Sequence, residues 1–290
     1  MLKRLSLFLV LIISGCTQYL FVPLRQQYIT PDVVGILHED IYLETDDGVR
    51  LHGWKLIAAD NSGGTILFLH GNGDNVSTHF ANAYWLVDEG YDVYLFDYRQ
   101  YGLSEGEVTL DNATSDSRKM IAYSVNHLAK NEKLIVMGHS LGGAIAIYAV
   151  AHSAYRNRIR ALVTIEAFSD YHDVTRDVLA KSWLLWPLQW PLSFTIDNSY
   201  RPLDAIGLVA PVPVCIIHSK SDEMIDFYHA QKLYDAAKPP KTLLLINSEH
   251  NNIFNKKENR QVLLDYLSGL KPASAPHKQP PAEKTPDCYY

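Results

Sequence analysis

The sequence predicts an α/β fold in which helices cover both faces of a mostly parallel sheet. Short apolar runs, typical of buried strands, alternate along the chain with segments of helical character. Strands that alternate with helices form parallel sheets, because each crossover helix packs back onto the sheet. The segment 39–57 differs, because two strand patterns flank the turn Asp46-Asp47-Gly48 and predict a hairpin. The predicted parallel strands are residues 65–69, 91–96, 133–137, 161–165, 212–217 and 241–246.

The composition of the chain limits the kinds of fold and function that it can have. The chain has 290 residues, of which 47% are hydrophobic, and this is enough for one large core. The formal net charge of −6 gives no support for binding nucleic acid. No spacing of histidine, cysteine and carboxylate residues suggests a metal site, and we expect no cofactor. Cys215 lies in a predicted strand and Cys288 near the end of the chain, so we expect no structural disulfide.

The first sixteen residues are predicted to be a targeting segment. Lys3 and Arg4 precede an apolar run over residues 5–13, and Ile13-Ser14-Gly15-Cys16 then resembles the lipobox of bacterial lipoproteins. We therefore expect a signal peptide over 1–15, an acylated Cys16 and a tether over 16–38. The expected location is the cell envelope, anchored by lipid to the outer membrane and facing the periplasm. The alternative is an uncleaved anchor followed by an ordinary buried cysteine.

The other end of the chain has a different composition. Residues 271–290 are rich in proline, alanine and lysine, which predicts a disordered tail. The folded domain is accordingly predicted to span residues 39–270.

A Gly-x-Ser-x-Gly motif joins a predicted strand to a predicted helix. Gly138-His139-Ser140-Leu141-Gly142 follows the apolar run 133–137 and precedes the small apolar residues 144–151. This is the sequence of a nucleophile elbow, in which the glycines give room for a sharp turn. Ser140 would then lie beside a helix N-terminus that favours developing negative charge. Ser140 is therefore the candidate nucleophile.

The same motif occurs once more, at Gly102-Leu103-Ser104-Glu105-Gly106. It also follows a strand-like run, but the residues after it have no apolar helical face. Two carboxylates beside the serine would oppose an oxyanion. We therefore interpret Ser104 as a loop residue.

These motifs together resemble the α/β-hydrolase superfamily, in particular its serine-aminopeptidase-type branch, over residues 30–268. The resemblance rests on the stretches 45–54, 70–73 and 97–106 and on the elbow. It implies a central sheet with a helical cap insertion and a nucleophile, acid and histidine in that chain order. Gln100 departs from the family pattern, which usually has glycine there.

The resemblance places the acid at Asp222 and the base at His250. Asp222 follows the strand 212–217, in a loop that also departs from the family pattern at Ser219 and Asp226. Glu223 and Asp170 remain alternative acids. His250 follows the last strand and precedes the predicted final helix 257–267. A serine needs such a base, itself oriented by a carboxylate, to act as a nucleophile at neutral pH.

The oxyanion hole is expected to be two backbone N–H groups, one from Leu141 and one from Asn72 in the His-Gly-x loop. His70, His139 and His218 are interpreted as packing or hydrogen-bonding residues.

The cap is expected over residues 168–206, which carry Trp183, Trp186 and Trp190 among leucines and prolines. Three interpretations are open: helices packed on the core, an aromatic lid lining an apolar substrate pocket, or contact with a membrane. The tryptophans are candidate pocket residues under the second.

The predicted function is a serine hydrolase that cleaves a carboxylic ester or related acyl bond through an acyl-enzyme. A serine peptidase or an acyltransferase would use the same triad. The alternative from another class is an envelope binding protein that keeps the fold without catalysis. The expected partners are a small acyl substrate and, through the lipid anchor, a membrane.

Overall fold

A computed structural model describes residues 20–128 and 132–270. The predicted signal peptide, Cys16 and the tail 271–290 lie outside the described residues. Within these ranges eight strands form one sheet, β1 (His38–Glu44), β2 (Arg50–Leu56), β3 (Gly64–Leu69), β4 (Tyr91–Phe96), β5 (Leu134–His139), β6 (Ile159–Ile165), β7 (Val214–Ser219) and β8 (Lys241–Ile246). The α-helices in the same ranges are α1 (Val76–His79), α2 (Leu110–Asn126), α3 (Leu141–Ala151), α4 (Tyr171–Ala180), α5 (Gln189–Ser193), α6 (Pro202–Ala205), α7 (Tyr228–Ala236) and α8 (Lys257–Gly269).

The strand order is β1-β2-β4-β3-β5-β6-β7-β8. The first two strands form the predicted hairpin, and β2 joins β4 antiparallel. All later pairs in the sheet are parallel. The α/β-hydrolase fold class predicted from the sequence is confirmed. Since the carboxyl ends of the parallel strands meet at one edge, the loops after them are brought together there.

Helices bury both faces of this sheet, so its central strands are apolar throughout. Every residue of β4 and β5 is buried. One face packs against α2, α3 and α7 through residues such as Met120, Ile145 and Leu233. The other face packs against α8 and the aromatic segment 76–86, with Leu263 and Trp85 among the buried residues.

Two segments differ from the sequence prediction. Residues 20–37 were assigned to the tether, but they lie on the domain: Phe21 is buried, and the Asn75 side chain donates to two carbonyls of this segment. The sequence of residues 76–89 has helical character, but in the structure this segment forms only the short α1 and two 3-10 turns. Its β-branched and aromatic residues favour helix weakly, and burial of Phe80 and Trp85 fixes the path instead.

The cap lies between β6 and β7, as predicted, and consists of α4, a 3-10 turn over Trp186–Leu188 and α5. None of the helices in the described ranges has the length and apolar character needed to cross a membrane.

Candidate active site

Ser140 lies at the turn between β5 and α3. Its φ is 53°, a left-handed conformation that costs energy in a residue other than glycine. The turn is held by the Ser140 N–H, which donates to the carbonyl of Ile165 at 2.9 Å. A Cβ on Gly142 would overlap the carbonyl oxygens of Leu69 and His70, so only glycine fits there. The sequence thus folds into a strained elbow with the serine at its apex.

The loops after β7 and β8 bring Asp222 and His250 together. Nδ1 of His250 lies 2.7 Å from Oδ2 of Asp222. The other oxygen, Oδ1, accepts the backbone N–H groups of Met224 and Ile225 at 2.7 and 2.9 Å. Burial raises the pKa of Asp222, but the bond to His250 and these N–H groups lower it below its usual value overall. The carboxylate therefore stays ionised and accepts a hydrogen bond from Nδ1 of the imidazole, which fixes the orientation of the ring.

Ser219 connects the acid loop to the histidine loop. Its hydroxyl donates to the carbonyl of Ser248 at 2.7 Å and accepts the N–H groups of Ser221 and Ser248 at 3.0 Å. The side chain that departs from the family pattern therefore ties together the loops that carry Asp222 and His250.

His139, the residue before Ser140, contacts His250. Nε2 of His139 lies 3.1 Å from the carbonyl oxygen of His250, and the two rings are 4.9 Å apart. Among the described residues Ser140 Oγ has no hydrogen-bond partner. In enzymes without substrate, the hydrogen bond between a nucleophilic serine and its histidine is commonly long, and it shortens when substrate binds.

The predicted oxyanion groups face the same cavity as Ser140, since Asn72 and Leu141 both line it. Leu141 is the first residue of α3, so its N–H has no acceptor within the helix. The Asn72 side chain shapes its loop: its Oδ1 accepts from the N–H groups of Val22 and Gly73 and from the hydroxyl of Tyr101.

Ser104 lies elsewhere and is fully buried. Its hydroxyl donates to the carbonyl of Asp97 and accepts the N–H of His52, both at 2.9 Å. These bonds give Ser104 a structural role in its loop. The alternative acids are also occupied: Asp170 caps α4 and pairs with Arg201, and the exposed Glu223 makes no contact with His250.

A second carboxyl group, which the sequence motifs did not identify, lies beside His250. Oε2 of Glu166, the residue after β6, is 3.3 Å from Nδ1 of His250. Glu166 is fully buried with φ 49°, and neither of its carboxyl oxygens has a hydrogen-bond partner among the described residues. Burial raises the pKa of Glu166 to about 7. An acidic residue directly after the apolar run 161–165 was the available signal.

This arrangement also places ligand-type atoms of His139, Glu166 and His250 within 4.8 Å of one another. Nε2 of His139 already hydrogen-bonds to the carbonyl oxygen of His250, and Nδ1 of His250 already hydrogen-bonds to Asp222. We therefore treat the cluster as a hydrogen-bonded network. Burial lowers the pKa of His139 to about 3, so that ring is neutral.

A cavity of about 460 Å³ opens at Ser140. Its walls are mainly apolar and come from the cap, the elbow, the acid loop and Leu20. The cap contributes Val174, Thr175, Val178, Leu179, Leu192, Thr195 and Ile196.

Trp183, Trp186 and Trp190 do not line this cavity, so the prediction that they form the pocket is wrong. Their side chains are 87%, 58% and 57% exposed. The cap residues that line the cavity lie in α4, in α5 and just after α5, whereas Trp183 and Trp186 lie in the turns between these helices. The irregular, proline-rich sequence does not reveal this distinction.

Comparison with known proteins identifies the family of the chain. A family model described as alpha/beta hydrolase fold matches residues 64–190. The chain is 32% identical over 244 residues to the Escherichia coli O157:H7 protein YfhR, covering 81% of this chain and 82% of the relative. The chain belongs to the alpha/beta hydrolase superfamily. A more distant relative of this hydrolase, at 28% identity over 215 residues, is the Saccharomyces cerevisiae membrane protein YNL320W, with 73% of this chain and 72% of the relative covered.

Solved hydrolase structures share the fold. An esterase from Pyrococcus furiosus superposes with a TM-score of 0.71 at 20% identity, covering 86% of this chain and 97% of that chain. A soluble variant of monoglyceride lipase from Saccharomyces cerevisiae gives a TM-score of 0.62 at 18% identity, covering 85% and 98%.

Proposed function

We propose that this hydrolase cleaves carboxylic esters through an acyl-enzyme on Ser140. The observation that carries the proposal is the 2.7 Å bond between His250 and Asp222 in the loops beside a strained serine. His250 takes the serine proton as the hydroxyl attacks the acyl carbonyl, and Asp222 stabilises the resulting imidazolium. The N–H groups of Asn72 and Leu141 hold the oxyanion.

The second half of the reaction uses the same groups. His250 returns the proton to the departing alcohol, which leaves an ester of Ser140 with the acyl group. Water then attacks this ester, with His250 as base again, and releases the acid and free serine.

The cavity favours an ester over a peptide with a free amino group. Its described lining contains no carboxylate that could hold an ammonium group, and most of it is aliphatic. An apolar acyl chain should gain roughly 0.8 kcal/mol for each buried methylene, which is about a three- to four-fold rise in kcat/KM per carbon until the cavity is full.

The test is a series of p-nitrophenyl esters of increasing chain length, measured beside aminoacyl nitroanilides. We expect the esters to be hydrolysed, with kcat/KM rising to an optimum at short to medium chains. Ile196→Trp fills the cavity and should move the optimum to shorter chains. Leu208→Trp, on the surface at the opposite edge of the sheet, is the matched control and should leave it unchanged.

Faster cleavage of the nitroanilides would instead favour a peptidase, and a product ester formed with an added alcohol would favour an acyltransferase. No turnover of either substrate class, in a protein that does not react with serine-directed probes, would favour the non-catalytic binding protein.

We also propose that Cys16 carries lipid and holds the hydrolase on the bacterial envelope. The support is the lipobox-like sequence that ends at Cys16. Cys16→Ser should release the protein from the membrane fraction and abolish labelling by an alkynyl fatty acid. A variant that stays membrane-bound through its N-terminus would contradict this.

A further inference from the structure

The cap presents an apolar surface to solvent. We define the cap face as Trp183, Leu184, Trp186, Leu188, Trp190 and Phe194. Their side chains are between 47% and 87% exposed. Single exposed apolar residues are ordinary, but an adjoining group of this size and type indicates a binding surface.

The exposed and the buried tryptophans lie in different parts of the chain. All five tryptophans lie in the described ranges, and the other two, Trp54 and Trp85, are 1% and 3% exposed. Every exposed tryptophan therefore belongs to the cap face. Tryptophan is enriched where proteins meet the polar boundary of a bilayer, because its ring is apolar and its N–H is polar.

The cap face continues into the rim of the active-site cavity. Val178 and Met224 line the cavity and are also 48% and 45% exposed. Within α5, Leu192 faces the cavity while Trp190 faces solvent. Material held against the cap face would thus lie at the entrance to the cavity above Ser140.

The N-terminal chain enters the domain at the same place. Leu20 lines the cavity. Leu20 is the fourth residue after Cys16, and an extended chain spans at most about 3.5 Å per residue step. A lipid on Cys16 would hold this entrance within about 14 Å of the bilayer surface.

Charged groups near the cap face have partners within the protein. The guanidinium of Arg176 lies 4.5 Å over the ring of Trp190 and pairs with Asp173. The ammonium of Lys181 donates to the carbonyl of Met224 at 3.0 Å. The surface is therefore suited to an apolar contact and does not require anionic lipid.

From these observations we propose that the cap face docks into the interfacial region of a lipid bilayer, so that the active-site cavity opens toward the membrane. The docking itself depends on the exposed residues alone. Its consequence, that the ester is drawn from the lipid phase, rests on the function proposed above.

The tryptophans provide the test, because Trp54 and Trp85 are buried while the other three are exposed. The full chain is reconstituted into phosphatidylcholine vesicles, with or without brominated acyl chains, and tryptophan emission is recorded. We expect brominated lipid to quench the emission, the maximum to shift to the blue, and acrylamide quenching to fall relative to the protein in solution.

Two variants separate docking from anchoring. W183S/L184S should remain on the vesicles through the N-terminus, yet Trp186 and Trp190 should lose their quenching by brominated lipid. Leu208→Ser removes an apolar side chain, itself 50% exposed, at the opposite edge of the sheet and should behave as wild type.

Activity gives an independent readout. W183S/L184S should hydrolyse p-nitrophenyl palmitate held in vesicles about tenfold more slowly, because less apolar surface is buried in the bilayer; tenfold corresponds to about 1.4 kcal/mol. Its turnover of soluble p-nitrophenyl acetate should be unchanged, which also establishes that the variant is folded. If no ester is hydrolysed, the proposed function fails while the quenching still tests docking.

The proposal is overturned if the vesicle-bound wild-type protein shows no quenching by brominated lipid. It is also overturned if acrylamide fails to reach the cap tryptophans before lipid is added. In that case protein covers the cap face, and the size of the particle in solution distinguishes a second copy from a segment of the same chain.

Discussion

Replacing Glu166 by glutamine should shift the pH dependence of catalysis. Glu166 Oε2 lies 3.3 Å from the nitrogen that His250 shares with Asp222. Burial lowers the pKa of His250, but the hydrogen bond to Asp222 and the nearby carboxyl group of Glu166 raise it to about 9 overall. A proton on His250 makes it useless as a base, so Glu166 in its ionised form opposes the first step of catalysis.

The size of the effect follows from the distance. A full negative charge at 3.3 Å would stabilise the imidazolium by about 5 kcal/mol at an effective dielectric constant of about 20, or about four pK units. The pKa of Glu166 is about 7 and that of His250 is raised to about 9, so Glu166 is largely ionised where His250 titrates. We expect the acid limb of kcat/KM in Glu166→Gln to move down by at least about one pH unit.

The assay is the pH profile of kcat/KM on a short p-nitrophenyl ester. Glu223→Gln is the matched control, because it removes an exposed carboxylate from the loop that carries Asp222 and leaves the His250 contacts intact. An acid limb that stays in place while kcat/KM falls equally at every pH would refute the electrostatic role and make Glu166 a packing residue.

Glu166 should also affect stability with pH. Its pKa is about 7 in the folded chain against an ordinary 4.5, so between these values the folded state holds a proton that the unfolded state has lost. Raising the pH through this window therefore lowers the free energy of unfolding by up to about 3 kcal/mol. Glu166→Gln should lack this decrease when urea unfolding is followed from pH 4.5 to 7.

Two further predictions concern the framework. Gly142→Ala should cost about 3 kcal/mol or more, because the new Cβ overlaps the Leu69 carbonyl, whereas Gly269→Ala meets open space and should leave the melting temperature unchanged. Arg99→Met should lower the free energy of unfolding by about 3–5 kcal/mol in urea titrations. The reason is that the carboxylate of the buried Asp116, which lies 2.7 Å from the Arg99 guanidinium, would lose its partner. An effect below about 1 kcal/mol would contradict this.

Much of this fold could be predicted because local patterns agree with the tertiary structure. The apolar runs became strands since both sheet faces are buried, and the glycines around Ser140 marked a turn that only glycine permits. The resemblance to the α/β-hydrolase superfamily implies that Asp222 and His250 lie together, and the loops that carry them do meet. Gln100 has a φ of 71°, which explains why glycine is usual there.

The remaining features depend on geometry that no local pattern encodes. Glu166 meets His250 only because β6, β7 and β8 are neighbours in the sheet. The cap has no regular periodicity to show which side faces the cavity, so the sequence left the place of Trp186 open, and in the structure this residue is exposed. Residues 20–37 carry few apolar residues in regular spacing, yet Phe21 anchors them to the domain.

Covalent labelling with a fluorophosphonate shows whether Ser140 is the nucleophile. We expect one probe per chain by intact mass, located by peptide sequencing at Ser140. Labelling should vanish in Ser140→Ala and persist in Ser104→Ala, because Ser104 is buried and only holds its loop. A labelled peptide that contains Ser104, or undiminished labelling of a folded Ser140→Ala protein, would contradict it.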